Sequence, residues 1–377
     1  MLGRLLEEIL ITSEASVLIL DPNADFIKFS ETDAKMWQRY AEAFCSSDTR
    51  GAFEELWKKV SFEILSKREE KALSLKHALA KVKPPALEWI NSTLRIAALL
   101  GFDTKTHVEE VFAILRAQQS NPGTLEAFIG AASEQWRGNN AKDASERADL
   151  ALYTRAYEIG QLPVWASDRQ PATVAESVNH LAVGGSRVVC VDLASLETQG
   201  ARLMVAGSAL DTLWAARRTA WFDAFQGRPE DDSRKPIFVV IDEAHNLAPI
   251  KPADDGPAQT VSEILQRIAT EGRKYGIYLV LATQRPGRLD ETLRTQCDNL
   301  CVLKMNDRHD LQLIEQSFGF IPQGWTQRAM EFKQGEVLLG GTLVDRPVYA
   351  RTAPRRTVEG GRNIRDSAWL PYLGNKK

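Results

Sequence analysis

Apolar residues at the start of the chain recur with the period of a helix. They occupy the i, i+3, i+4, i+7 and i+8 positions of one helical face, namely Leu2, Leu5, Leu6, Ile9 and Leu10. An uninterrupted apolar run at residues 17–20 follows and stops at Asp21-Pro22, as a strand does when it reaches a turn. The pattern predicts a helix from about residue 2 and a strand directly after it.

The next region, residues 28–182, has the composition of a helical block. It is rich in Ala, Leu, Glu and Lys, with breaks at KPP (83–85), NPG (121–123) and GNN (138–140). Its tryptophans, among them Trp57 and Trp136, are spaced as core anchors rather than as a motif. We predict a large all-helical insertion with its own small core, placed between two strands of one domain.

From residue 183 onward, apolar runs alternate with helical patterns. The runs predict strands at residues 187–192, 236–242, 276–283 and 299–304. Two helices between them have apolar stripes predicted to be buried, at Leu203, Ala206, Leu210, Leu213 and Trp214 and at Val261, Ile264, Leu265 and Ile268. This alternation predicts an α/β fold with a mostly parallel, doubly wound sheet. We assign residues 1–27 and 183–342 to that one domain.

Residues 343–377 form a basic C-terminal arm, with few acids beside Arg346, Arg351, Arg355, Arg356, Arg362 and Arg365. One interpretation is a solvated arm. The other is an arm that packs on a neighbouring subunit or contacts phosphates.

Composition restricts the classes of partner. The chain has 377 residues and a net charge of −3, so its global charge does not favour nucleic acid or an anionic membrane. No apolar run approaches the roughly 20 residues of a membrane span. Four scattered cysteines lack the spacing of a zinc site and are expected to be buried free thiols. We therefore expect a cytoplasmic protein without membrane contact.

The most specific stretch is IFVVIDEAHN at residues 237–246, an apolar strand that delivers two adjacent carboxylates at its carboxyl end. Ligands of open α/β sheets bind at that end of the strands. Asp242 is placed to hold a Mg²⁺ ion through its water shell. Glu243 is placed to polarise a water aimed at a γ-phosphate. This is the Walker B pattern of P-loop ATPases.

Residues around the next strand fit the same chemistry. Gln284 follows the run at 276–283, where an amide can bridge the attacking water and the γ-phosphate. Arg273 lies just past the apolar stripe of the preceding helix. It is either an arginine that complements the helix dipole or an arginine finger supplied to a neighbouring subunit's nucleotide. His245, beside the acids, is interpreted as a hydrogen-bonded structural or coupling residue rather than a metal ligand.

Several stretches together resemble the ATPase core of the HerA/FtsK superfamily, and HerA-like DNA translocases in particular. They are IFVVIDEAHNLAP, ILQRIATEGRKYGIYLVLATQRP and TQCDNLCVLKMND, with VVCVDLASLETQGARLMVAGSALDTLWAARR before them and SVLILDPNADF near the start. The resemblance covers about residues 2–26 and 187 to the C-terminus. It does not cover the helical block, and DPNADF is its loosest match.

The resemblance implies a RecA-like P-loop core in a homo-hexameric ring, with ATP and Mg²⁺ at the subunit interfaces and double-stranded DNA threaded through the pore. Family members often pair with a nuclease, so a nuclease or another effector is a candidate partner. By matched position, Asp242 serves Mg²⁺ through water, and Glu243 is the catalytic base. Gln284 senses the γ-phosphate and Arg273 acts in trans. Lys274 is a weaker candidate for contact with the nucleotide in trans.

One motif of such ATPases is missing from this sequence. A P-loop needs Gly-x-x-x-x-Gly-Lys-Ser/Thr ahead of its first helix, because the glycine amides cradle phosphates and the lysine neutralises them. None of the 24 glycines is followed by lysine. Because residues 2–10 match the helix after that motif, we expect the lysine only a few residues before Met1, in a longer gene product.

Other interpretations stay open. The chain is alternatively a structural or regulatory subunit of such an assembly, without its own P-loop and without nucleotide hydrolysis. A plain DNA-binding module is a third possibility, but the sequence has no compact basic and aromatic patch to support it. If the P-loop and a first core strand beside the Walker B strand are lost, we expect exposed apolar surface on the sheet and on the first helix.

Overall fold

Short apolar strands with helices between them form the centre of the protein. The computed structural model describes residues 1–33, 50–66, 79–81, 96–97, 100–102, 106–119, 125–137, 142–161, 174–226, 232, 234–250 and 256–360. The strands of the main sheet are β1 Ser16–Asp21, β2 Phe62–Ser66, β3 Leu79–Lys81, β4 Val188–Asp192, β5 Ile237–Ile241 and β6 Ile277–Leu281. They are ordered β3-β2-β4-β1-β5-β6, and each of these pairings is parallel. The predicted α/β class is confirmed.

Helices cover both faces of this sheet. They are α1 Leu2–Thr12, α2 Arg50–Trp57, α3 Val108–Gln118, α4 Leu125–Trp136, α5 Ala144–Gly160, α6 Val174–Ala182, α7 Gln199–Gln226, α8 Gly256–Glu271, α9 Glu291–Thr295 and α10 Arg308–Ser317. Successive residues of β1 face opposite sides, so Val17 and Ile19 pack with α1 and α2, while Leu18 and Leu20 pack with α6, α7 and α8. The apolar stripes predicted on α7 and α8 are buried. None of the helices in the described ranges is long and apolar enough to cross a membrane.

The region between residues 28 and 182 is mixed rather than all-helical. β2 and β3 belong to it, and β2 pairs in register with β4 in the main sheet. The apolar residues of FEILS serve both faces of the sheet: Ile64 packs on the side of α2, and Leu65 packs on the opposite side. Helices α3, α4 and α5 have a separate apolar cluster that includes Ile114, Phe128 and Leu152.

A second sheet follows the main one. Its strands are β7 Asn299–Val302, β8 Glu336–Gly341 and β9 Val348–Arg351, and they pair antiparallel in that order. The strand predicted at 299–304 is therefore real but lies outside the main sheet, because it pairs with β8, which follows α10. Of the described cysteines, Cys190 is buried and Cys301 is exposed, so the prediction of buried thiols is wrong for Cys301.

The apolar surface expected on the sheet and on helix α1 is exposed only in part, because Tyr278 is exposed while Leu2 and Ile9 are half-buried. β5 lies between β1 and β6, so both of its edges are already paired. On α1, Leu6 is 0% exposed and Leu10 is 3% exposed. The two edge strands in this order are β3 and β6, and on β6 the side chain of Tyr278 is exposed.

The C-terminal strap, residues 352–360, packs on α1 of the same chain. The backbone N–H groups of Arg356 and Thr357 and the Thr357 hydroxyl donate to Glu7 Oε1 at 2.7, 2.8 and 2.9 Å. Arg4 Nη1 donates to Glu7 Oε2 at 3.1 Å, and the Glu7 side chain is fully buried. The arm predicted to be solvated or bound to a neighbour is thus docked in cis as far as residue 360. Arg362 and Arg365 lie outside the described residues.

Candidate functional site

Three of the predicted site residues meet at the carboxyl ends of two neighbouring strands of the main sheet. Asp242 and Glu243 follow β5 directly, and Gln284 follows β6. β5 and β6 pair in parallel with Ile241 opposite Leu281, so their carboxyl ends stand side by side. The backbone N–H of Gln284 donates to Glu243 Oε2 across 3.4 Å. The two acids and the backbone of Gln284 therefore share one site.

The backbone of Glu243 adopts a left-handed conformation, with φ 45° and ψ 48°. For a non-glycine residue this conformation costs on the order of 1–3 kcal/mol. The next residue secures the turn, because the Ala244 N–H donates to Ala282 O at 2.8 Å. A strained turn bound to β6 thus directs the Glu243 carboxylate towards the loop after that strand.

Asn23 is a site residue that sequence reasoning missed. Its Nδ2 donates to Asp242 Oδ2 at 3.1 Å. The loop that carries Asn23 is closed by Asp21, whose carboxylate accepts the backbone N–H groups of Asn23, Asp25 and Phe26 at 3.2, 3.2 and 2.8 Å. The available signal was an amide just after a strand end. Its use required knowing that β1 pairs directly with β5.

The oxygen donors at this edge fit a magnesium ion bound through water. In nucleotide sites Mg²⁺ takes one or two carboxylates and keeps several waters. Asp242 is partly exposed, and Asn23 engages only its Oδ2, so its other oxygen is available to a hydrated ion. Within the described residues, no group of three or more His, Cys, Asp or Glu side chains is arranged to hold a metal. Asp242 is the residue that would hold Mg²⁺ here.

His245 lies between the ends of β5 and β6. Its Nδ1 is 2.9 Å from Thr283 Oγ1 and 3.4 Å from Glu243 Oε2. Burial lowers the pKa of the imidazole, Arg285 and Arg288 lower it further, and Glu243 opposes them. These contacts agree with the interpretation of His245 as a hydrogen-bonded residue.

Two more acids end strands at the same edge, and both are buried. Asp21 ends β1 and Asp192 ends β4, each with 0% exposure. Asp192 accepts hydrogen bonds from Ser66 Oγ at 2.6 Å and from the Ser195 N–H at 3.2 Å. Burial raises the pKa of Asp21 to about 6, with Asp192 adding to the rise and the backbone N–H donors opposing it. These two carboxylates support the fold beneath the site.

Arg273 and Lys274 lie at the amino ends of the strands, whereas the acids lie at the carboxyl ends. Both fall in the turn Gly272–Tyr275, before β6, whereas Gln284 comes after it. A strand of this length spans roughly 17 Å. The structure therefore does not bring Arg273 or Lys274 to Glu243 of the same chain.

Aromatic and backbone contacts fix the turn that carries Arg273. Lys274 Nζ lies 3.9 Å from the ring centroid of Trp221. Arg217 is 3% exposed, and its Nε donates to Tyr275 O at 3.0 Å. Between these two anchors the side chain of Arg273 is exposed. The turn thus presents Arg273 outward, away from the site of its own chain.

The C-terminal strap also borders the site. The guanidinium of Arg355 lies over Phe26 and Phe29, 4.9 and 5.1 Å from the ring centroids, and its Nη2 donates to Asp25 O at 3.2 Å. A Cβ at Gly3 would stand 2.7 Å from Arg355 Cδ, so the first turn of α1 accepts the strap because residue 3 is glycine. The start of α1 and the loop after β1 are therefore held together by this arginine.

One segment of the chain matches the model of a known protein family. A family model described as the FtsK/SpoIIIE family matches residues 184–288. These residues include β4, β5 and β6 and the site residues Asp242, Glu243 and Gln284.

Curated relatives match over a similar part. The chain is 30% identical over 120 residues to a probable helicase of Methanocaldococcus jannaschii, an alignment that covers 32% of this chain and 22% of the relative. It is 30% identical over 116 residues to the DNA double-strand break repair helicase HerA of Sulfurisphaera tokodaii, covering 31% and 22%. It is 27% identical over 187 residues to HerA of Sulfolobus acidocaldarius, covering 49% and 35%. The chain thus spans between 22% and 35% of the length of these relatives.

A solved structure shares the fold over most of the chain. The bacterial conjugative coupling protein TrwBdeltaN70 superposes with a TM-score of 0.51 at 12% identity, covering 93% of this chain and 81% of that one. At this identity the likeness shows a common fold.

Proposed function

We propose that this chain, whose sheet domain belongs to the HerA/FtsK superfamily of P-loop ATPases, is a subunit of an ATP-dependent translocase or helicase of double-stranded DNA. Hydrolysis at the carboxyl edge of the main sheet drives DNA through a ring of subunits. The matched segment of the chain supports this function, and the proposal extends it to the whole protein. We also propose that the protein is cytoplasmic.

The observation that carries the proposal is the convergence of Asp242, Glu243 and Gln284 at two adjacent strand ends. Asp242 holds hydrated Mg²⁺, with Asn23 orienting its carboxylate. Glu243 takes the proton of the attacking water as general base. Gln284 contacts the γ-phosphate from the exposed loop after β6. These three roles, in binding Mg²⁺, activating water and contacting the γ-phosphate, fit ATP as the cofactor.

The position of Arg273 supports a ring of identical subunits, which we propose to be a hexamer. Its exposed side chain points away from its own acids, at the far end of β6. An arginine that cannot reach its own nucleotide can stabilise the developing charge on a neighbour's. Lys274 is the weaker candidate for the same role, because its amine already lies over Trp221.

A second candidate function is a non-catalytic structural or regulatory subunit of the same assembly. The observation that favours it is that no glycine of the printed sequence is followed by lysine. The expectation of a P-loop just before Met1 in a longer gene product, which separates the two candidates, is tested in the gene. An in-frame Gly-Lys-Ser/Thr motif shortly upstream of Met1 supports it, and a stop codon before any such motif contradicts it. A nuclease or another effector is the proposed partner in either case.

ATP turnover by the full-length protein, purified with any polypeptide that stays bound, tests the main proposal. Glu243→Gln removes the base and keeps the shape of the side chain. We expect turnover in the presence of double-stranded DNA to fall about a thousandfold, while binding of a fluorescent ATP analogue is retained.

The matched control is Glu263→Gln, a change of the same kind on the exposed side of α8, which should leave turnover unchanged. Undiminished turnover in Glu243→Gln would show that the base is wrongly assigned.

Mixing Glu243→Gln with Arg273→Ala subunits tests the trans role of Arg273. Partial recovery of turnover supports it, and no recovery at any ratio contradicts it.

A further inference from the structure

The carboxylate of Glu243 is held at a single oxygen by two long contacts. The Gln284 backbone N–H and His245 Nδ1 each lie 3.4 Å from Oε2. Hydrogen bonds of this length weaken steeply with small displacements, so the direction of the carboxylate depends on where these two donors stand. Both contacts are to Oε2, so neither occupies Oε1.

The ring of His245 is fixed in turn by the loop after β6. Its Nδ1 lies 2.9 Å from Thr283 Oγ1, which also accepts the Arg285 N–H at 3.0 Å. The His245 side chain is 13% exposed, and its backbone lies in the short helix Ala244–Asn246. His245 therefore links the acids after β5 to the loop after β6 through side-chain contacts.

These contacts assign the proton on the ring. An ionised carboxylate only accepts hydrogen bonds, so a nitrogen beside Glu243 Oε2 is favourable there when it carries hydrogen. With the hydrogen on Nδ1, His245 donates to Thr283 Oγ1 and turns a polar N–H towards Glu243 Oε2, 3.4 Å away. A bare Nδ1 would instead face the carboxylate with lone pair against lone pair. The hydrogen-bond network thus favours the Nδ1–H tautomer.

We propose that His245 is a positioning residue for Glu243: its Nδ1–H, aligned by the Thr283 hydroxyl, holds Oε2 so that Oε1 faces the attacking water. This inference rests on the proposed function, because it requires Glu243 to be the base. It adds a route by which the loop after β6 controls hydrolysis, since Thr283 and Gln284 both belong to that loop. A shift of the loop moves both donors that hold the base.

Three substitutions of His245 separate positioning from simple support of the fold. The amide N–H of His245→Asn occupies nearly the place of Nδ1, whereas His245→Gln puts its N–H nearer the place of Nε2. We expect the Gln and Ala variants to lose about tenfold or more in kcat with KM changed less than about twofold, and the Asn variant to keep most of the activity. A residue that only supports the fold would not distinguish Asn from Gln.

The outcomes distinguish this inference from the proposed function. Parental kcat in all three variants, together with an inactive Glu243→Gln, would overturn the role of His245 and leave the proposed function standing. Turnover by Glu243→Gln at the parental rate would remove the base itself, and the positioning role with it.

A spectroscopic measurement tests the same point without turnover. In the protein labelled with ¹⁵N-histidine, two-bond proton–nitrogen correlations show which ring nitrogen carries hydrogen. The signal that disappears in His245→Gln belongs to His245, and we expect it to report Nδ1–H. An Nε2–H tautomer at His245 contradicts the proposal whatever the kinetics give.

Discussion

Four acids stand at the carboxyl edge of one sheet, and they are held in two different ways. Asp21 and Asp192 are fully buried, and each accepts at least two hydrogen bonds within the described structure. Asp242 and Glu243 are partly exposed. The contact to Asp242 comes from Asn23, and Glu243 has the 3.4 Å contacts at its Oε2. The first pair is part of the fold, and the second pair is available for chemistry.

The difference lies in where the donors come from. Asp21 accepts from N–H groups two to five residues ahead, so its own loop closes around it. Glu243 accepts from Gln284, which is 41 residues away and on the next strand's loop. An acid enclosed by its own loop is shielded from ligands, whereas an acid held by a neighbouring loop stays open on the other side and moves with that neighbour.

The largest expected effect concerns the pH dependence of stability at the buried pair. The pKa of Asp21 is raised from 3.8 to about 6 in the folded protein. Its contribution to stability is therefore full below pH 3.8 and is lost as the pH rises through about 6. Relative to Asp21→Asn, the parent protein should gain up to about 3 kcal/mol of unfolding free energy between pH 7 and pH 4.

Urea unfolding followed by tryptophan fluorescence at several pH values measures this difference. Asn23→Ala is the matched control, because it alters the same loop without removing a titratable group. Parallel stability curves for the parent and Asp21→Asn would contradict the raised pKa.

The next effect compares the two pairs directly. Asp21→Ala leaves three N–H groups, one buried and two partly buried, without their acceptor and should cost about 2 kcal/mol of unfolding free energy at pH 7. Asp242→Ala, at the open end of β5, should change the unfolding free energy by less than about 0.5 kcal/mol and abolish ATP turnover. Equal destabilisation by the two substitutions would remove the distinction between the pairs.

The smallest effect extends the comparison to a buried acid away from the strand ends. Glu7→Gln keeps an acceptor for the strap but presents an amide N–H₂ to Arg4 in place of Oε2. We expect a loss of about 1 kcal/mol of unfolding free energy. Glu54→Gln on α2 is the control, because its largely solvent-exposed ion pair with Arg50 does not touch the strap and contributes less than about 0.5 kcal/mol. An equal response of the two variants would argue against the docked strap.

Residue patterns predicted the α/β core well because its signals are local. A few neighbouring residues suffice to predict burial in the apolar runs of β1, β4, β5 and β6 and in the apolar stripes of α7 and α8. Strand β2 was missed because its five residues, FEILS, are too short a run to stand out in a region with helix-rich composition. β7 was found but given to the wrong sheet, since a strand's partner depends on residues that come 30 or more positions later.

The candidate site was predictable only in part, for the same reason. Asp242 and Glu243 were marked by their adjacency after an apolar strand, and Gln284 by its place after the next one. No local sequence pattern marks Asn23 or Thr283 as a site residue. Each belongs to the site only through a contact with a residue that follows another strand.

The docking of the strap on Glu7 has a consequence for biosynthesis. The donors to Glu7 lie 349 and 350 residues further along the chain. At typical translation rates, roughly 20–70 s separate the synthesis of Glu7 from that of its partners. During this interval the carboxylate of α1 cannot be satisfied as in the native protein, so the helix that borders the site gains its native contacts long after it is made. Contacts between residues so far apart in sequence raise the contact order of this region, which slows its folding.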